Sequence, residues 1–209
     1  EKPTSILDIL KQGFPFLITV FSLTLLDGIP YQYMNIYAEP SEVGVYGLVA
    51  KIMQLFPFIA SAVNFTFAPN YVHMRRDGHI TAARESFYSI TKYLTLASSM
   101  LIVLLLFSKN YIFWALEIPT EFVAFGSFIF VVLMVCKSFE MMTGVSGSVL
   151  AMSGMEKTQG FLVLTAVGFL VLGCEVVRNY LPVEQFSVAV LLATIYLRLG
   201  FIFVARKWG

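Results

Sequence analysis

Charge is scarce in this 209-residue chain: Asp, Glu, Lys and Arg together supply 13% of residues, against 58% hydrophobic, and mean hydropathy is +0.79. Composition this poor in charge falls outside the range of soluble domains and points to a membrane protein. Neither sign dominates, since 14 Lys and Arg face 13 Asp and Glu, so the chain exerts no general pull on nucleic acid, which is not an expected partner. Cysteine is limited to Cys136 and Cys174, both inside apolar runs and without CxxC spacing, which leaves neither a disulfide framework nor a metal knuckle. No short apolar leader with a small-residue cleavage site opens the chain, and its first residue is Glu1. The sequence is therefore expected to begin partway through a longer protein.

Signatures of catalysis are missing too. Gly144-Val145-Ser146-Gly147-Ser148 lacks the pattern of a nucleophile elbow, no Walker loop occurs, and His73 with His79 has no further ligands for a metal. The chain reads as a non-enzyme with no cofactor and no metal. Asn64-Phe65-Thr66 matches a glycosylation acceptor by chance, because it sits inside an apolar run where a glycan has no room.

What the sequence has in abundance is long apolar segments. A bilayer core of roughly 30 Å needs about 20 apolar residues as a helix, because the backbone must satisfy its own hydrogen bonds there. Six stretches meet the requirement: 14–36, 43–69, 87–107, 122–152, 161–180 and 186–204. They predict an all-α, polytopic transmembrane bundle forming a single lobe. Ser41 after Glu39-Pro40 is the expected N-cap of span 2, Pro119-Thr120-Glu121 precedes span 4, and Thr4 to Gln12 reads as a short interfacial helix leading into span 1. Positive charge collects on one side: Lys2, Lys11, Arg75, Arg76, Arg84, Lys157, Arg206 and Lys207 share it, whereas Lys109 and Arg178 lie opposite. By the positive-inside rule both termini face the cytoplasm.

The informative residues are ionisable groups at membrane depth, which cost about 2.5 to 3.5 kcal/mol on insertion scales and therefore face protein or water. Lys51, Lys137 and Arg198 are the candidate substrate-binding cations of a water-filled cavity, and Asp27 and Glu140 are the buried acids, candidates for ion coupling. Lys137 and Glu140 stand at i and i+3 on one helical face, so they either neutralise each other or divide the work of attracting an anion and exchanging a proton. Asp27 precedes Gly28-Ile29-Pro30, where the proline frees the carbonyl of Leu26 and is expected to bend span 1; the acid is a cation or proton site or a partner of a base such as Lys51. Pro57 marks a second candidate hinge in span 2. Lys92 lies close enough to a span end to snorkel, and Glu175 with Arg178 forms an interfacial pair. Gly144, Gly147 and Gly154, with Ser146, Ser148 and Ser153, read as a small-residue face for close helix packing.

Several of these runs carry a family resemblance. Glu42-Val43-Gly44-Val45-Tyr46-Gly47-Leu48-Val49-Ala50-Lys51, Phe67-Ala68-Pro69, Gly78 leading to Ala82-Ala83-Arg84, Thr91-Lys92, the segment from Gly144 to Lys157, and Leu181-Pro182 resemble the Wzx-like polysaccharide-biosynthesis flippases of the multidrug/oligosaccharidyl-lipid/polysaccharide exporter superfamily. The match extends over nearly the whole chain and looks like the C-terminal six-helix lobe of a two-lobe transporter. It departs from the family after Leu181-Pro182, where Val183-Glu184-Gln185 replaces a glycine- and alanine-rich run, and at Ala166-Val167-Gly168, where an asparagine is common. The resemblance implies alternating-access transfer of an undecaprenyl-diphosphate-linked oligosaccharide across the inner membrane for O-antigen or other surface polysaccharide. It also implies a second lobe, membrane lipid and a polymerase or glycosyltransferase as partners. A multidrug antiporter, a flippase for a lipid-linked peptidoglycan precursor and a non-transporting scaffold are the competing readings.

Overall fold

In the computed structural model, residues 6–208 are described, while residues 1–5 and 209 lie outside it, as do the side chains of residues 6–12, 15–16, 151–152 and 206–208. Lys2, Lys11, Arg206 and Lys207 of the charge count are thus outside the described side chains. Seven helices follow one another: α1 (Ile6–Tyr37), α2 (Pro40–Met53), α3 (Leu55–Arg76), α4 (Ile80–Ala115), α5 (Val123–Met152), α6 (Glu156–Tyr180) and α7 (Phe186–Trp208). No strand occurs among the described residues. Five helical stretches there are long and apolar enough to cross a membrane: Pro40–Arg76, Ile80–Ala115, Thr120–Leu150, Glu156–Tyr180 and Val183–Ala205. The chain has the build of a multi-pass membrane protein.

Helix α5 is the hub, packed against α2, α3, α4, α6 and α7, and 44% of its most apolar window is buried. Helix α4 is the rim, with 17% of the corresponding window buried and Tyr93, Leu96, Met100, Val103 and Phe107 turned outward. Its 36 residues make it about 54 Å long at 1.5 Å per residue, so it overruns the expected span 87–107 at both ends. Helix α1 docks along α6, with smaller seams to α2 and α7, and Tyr33 fastens it there by donating to the Glu175 carboxylate at 2.6 Å. The expected Glu175–Arg178 pair closes at 3.2 Å beside that bond, and Arg178 lies over the Tyr37 ring.

The second expected span is two helices. Pro57 has no N–H to offer the carbonyl of Met53 and its ring crowds that carbonyl, so the helix stops at Met53 and restarts at Leu55. Gln54 fills the joint, its N–H reaching Lys51 O at 3.2 Å. Helix α1, in contrast, runs unbroken through Pro30. It also continues without interruption from Ile6, so the separate interfacial helix expected to end at Gln12 does not exist in the described part. Helix α2 begins two residues earlier than expected: Glu39 is its N-cap and Ser41 sits at the second helical position, while the Glu39 N–H donates to the Glu42 carboxylate at 2.9 Å.

Three helices finish in the same way. After α3, α4 and α5 the chain enters the left-handed region at Gly78 (φ 83°), Glu117 (φ 52°) and Gly154 (φ 77°), and the next N–H bonds back to the carbonyl five residues earlier. Gly154 therefore serves a turn and does not belong to a packing face. Glu117 bears a side chain where glycine is free of penalty, so Glu117→Gly is expected to stabilise the fold by roughly 1 kcal/mol. Thermal unfolding of the detergent-solubilised chain measures this, and an unchanged or lower midpoint would contradict it.

Candidate functional site

Four ionisable side chains meet where α1, α5 and α7 converge. Lys137 is about halfway along α5 and Glu140 follows one turn later, which puts both on one face. The Lys137 ammonium donates to Asp27 of α1 at 2.7 Å and to Glu140 at 2.9 Å. The Arg198 guanidinium of α7 donates to the other Glu140 oxygen at 2.6 Å. The result is a linear chain, Asp27–Lys137–Glu140–Arg198, in which one carboxylate is shared by two cations and total charge sums to zero. Burial is uneven within it: Lys137 and Arg198 retain 9% side-chain exposure, Glu140 22% and Asp27 56%. The expectation of a buried Asp27 is thus corrected to an acid at the open edge.

The cluster forms part of the wall of a cavity of about 380 Å³. Helix periodicity explains who else lines it. On α5 the face continues from Lys137 and Glu140 to Gly144 and Gly147, whose missing side chains leave the space. On α7 the same face carries Thr194, Leu197, Arg198 and Phe201, on α3 Pro57, Ser61 and Asn64, and on α1 Thr19 and Leu23. Helices α1 and α3 are not a packed pair, and the void lies in the gap between them. Gln159 of α6 closes the floor by donating to Gly147 O at 3.2 Å. Two buried polar atoms in this wall, Arg198 Nε and Asn64 Oδ1, have no hydrogen-bond partner. An unmet donor and an unmet acceptor around one void are the usual mark of a place that takes water or a polar ligand.

Lys51 does not join this group. It is exposed on α2, and it is absent from the cavity wall. Sequence depth placed it at the right level of the membrane, but Val43, Tyr46, Val49 and Met53 form the buried face of α2, and Lys51 lies about 200° round the helix from Val49. Pro57 is in the cavity wall, and Pro30 is buried in α1 but does not line the void. Among the described residues no three metal-ligating side chains come together.

The small-residue stretch divides between two neighbours. A Cβ on Gly144 would meet the Asn64 amide at 3.5 Å and Ala60 Cβ at 3.9 Å, both ordinary contacts, whereas on Gly147 it would stand 3.1 Å from the Phe201 ring. Phe201 is 1% exposed and has the Arg198 guanidinium 5.8 Å from its ring centre, so any shift that makes room disturbs the packing around that cation. Gly147→Ala is expected to cost about 1–3 kcal/mol, and Gly144→Ala well under that. Equal thermal midpoints for the two variants would refute this packing.

No family model, curated protein or solved structure matches this chain. The resemblance to Wzx-like flippases accordingly rests on the sequence runs quoted above, and the site has to be argued on its own geometry.

Proposed function

We propose that the chain is one lobe of a membrane transporter, and specifically of a flippase that carries an undecaprenyl-diphosphate-linked oligosaccharide from the inner to the outer leaflet of the inner membrane. The observation behind this reading is that Lys137 and Arg198, from different helices, border one cavity and share Glu140. A diphosphate headgroup competes with carboxylates for such cations, because the same charge-assisted hydrogen bonds form to phosphate oxygens. Asp27 is the easiest counter-ion to displace, since its side chain is more than half exposed. Displacing it leaves Lys137 with Glu140 and one direction open toward the ligand. Exchange of Asp27 for phosphate on Lys137 then gives loaded and empty states different ion pairings, the differential contact that alternating access requires. The lipid tail stays in the bilayer, and a second six-helix lobe supplies the opposite wall.

A second reading is favoured by a specific fact: each cation already has a carboxylate within 2.9 Å. On that reading the cluster is a neutral structural knot in a scaffold that moves nothing. A transport assay separates the two. The protein as it occurs in cells, reconstituted in vesicles with a fluorescent undecaprenyl-diphosphate oligosaccharide, is expected to render the lipid accessible across the bilayer to an impermeant quencher. Transfer no faster than in protein-free vesicles would sink the flippase reading.

A further inference from the structure

Of the three candidate cations, Lys51 is the one the cluster leaves out, and its position makes a demand of its own. It lies about 16 Å along the helix from the start of Pro40–Arg76, a stretch long and apolar enough to cross a membrane. A hydrocarbon core is roughly 30 Å thick, so this is close to mid-depth, too far in for a lysine stem to reach the surface. A cation there is costly unless an acid or water faces it. Helices α1 and α2 turn back on each other through Ala38-Glu39. Tyr31 of α1 lies against Gly47 of α2, where an added Cβ would be 3.5 Å from the Tyr31 ring, and the Tyr31 and Tyr46 ring centres are 6.4 Å apart. One helical turn further from Glu39 on each side come Asp27 and Lys51, which places them at one level along the same seam.

Both side chains are open to the surface, that of Asp27 by 56%, yet no ion pair joins them. Asp27 is engaged by Lys137 at 2.7 Å, and among the described residues Lys51 meets no carboxylate. Other acids are poorly placed to serve it. Glu140 is held by Lys137 and Arg198, and Glu39 and Glu42 sit back at the turn. Asp27 is therefore the acid at the level of Lys51, and it is also the member of the cluster that an incoming anion displaces most easily. We infer that Lys51 is the second seat of the Asp27 carboxylate. When an anion takes Lys137, the displaced carboxylate crosses the seam to Lys51, so neither charge is left bare and α1 is drawn toward α2 at the edge of the cavity. Lys51 acts as a positioning residue: it holds the acid and does not touch the ligand. Its effect on transport rests on the flippase reading above, whereas the pairing itself does not.

Zero-length coupling with a water-soluble carbodiimide, which joins a carboxylate to an amine only where the two meet, tests the pairing without any transport. In the protein as it occurs in cells the coupled product is expected to join Asp27 mainly to Lys137. With Lys137→Met, Asp27 loses that cation while Glu140 keeps Arg198, so no buried charge is stranded and folding is retained. Mass spectrometry of the digested variant is expected to find Asp27 joined to Lys51 about fivefold more than in the parent, the gain that one exposed ion pair supplies, and Lys137→Gln is expected to give the same product. An Asp27–Lys51 product no more abundant in both variants than in the parent would overturn the inference. In the vesicle assay Lys51→Gln is expected to slow lipid transfer about fivefold and Lys51→Arg to preserve it, and Lys51→Gln is expected to have no further effect once Asp27→Asn is present. If the parent transfers the lipid and Lys51→Gln is as fast, the second seat is overturned and the flippase reading stands. If the parent transfers nothing, that reading fails, and the coupling result still decides for or against the pairing.

Discussion

Glu140→Ala should destabilise the bundle by about 3–5 kcal/mol, the cost of stranding buried charge, and should be among the most damaging single changes in the chain. The reason is its position as the shared member of the cluster. Among the described residues, removing it takes from Arg198, already with an unmet Nε, its one carboxylate partner and leaves Lys137 with Asp27. Both cations keep only 9% side-chain exposure, so water reaching them through the cavity replaces only part of what is lost. Asp27→Ala offers the internal comparison. Its carboxylate is 56% exposed and Lys137 retains Glu140, so the cost is expected to remain below about 1 kcal/mol. Equilibrium unfolding of both variants in detergent reads the difference directly, and similar losses would mean that Glu140 is not the keystone.

The second large effect concerns transport and is designed to leave folding intact. Replacing all four charged groups together, as Asp27→Asn, Lys137→Met, Glu140→Leu and Arg198→Met, strands no charge, and volume-matched apolar replacement of buried ion pairs is commonly neutral or stabilising. The quadruple variant is expected to fold at least as well as the parent yet to lose transfer of the diphosphate-linked lipid by a hundredfold or more. That magnitude follows from deleting two charge-assisted hydrogen bonds to phosphate, at about 1.5 kcal/mol or more each. A stable quadruple variant that still moves the lipid would assign the cluster to architecture alone.

How much of this was legible beforehand depends on the range of the signal. Apolar runs near 20 residues announced a bundle of long helices, five stretches of which are apolar enough to cross a membrane among the described residues, and the Lys137–Glu140 pair followed from i, i+3 spacing, because both signals are local. The rest of the cluster is not local. Glu140 and Arg198 are 58 residues apart and meet only because α5 packs on α7; Asp27 and Lys137 are 110 apart, joined across a gap by helices that are not a packed pair. Asp27 was open between a cation or proton site and pairing with a base such as Lys51; the helix faces bring it to Lys137 instead. Lys51 stands outside this cavity because Val43, Tyr46, Val49 and Met53 form the buried face of α2. Asn64, Gln159 and Tyr33 carried no signal at all: a single polar residue in an apolar run does not declare its neighbour.

The joint at Gln54 has a mechanical consequence. Helix α2 is held by five buried side chains, while α3 beyond the joint is a rod of 22 residues, about 33 Å long. A tilt of about 10° there would sweep its far end by about 6 Å, with Pro57 near the fulcrum, Asn64 near the middle and Tyr71 and Arg75 near the tip. A single lever thus borders the cavity, and whatever pulls on its tip also changes the width of the gap against α1.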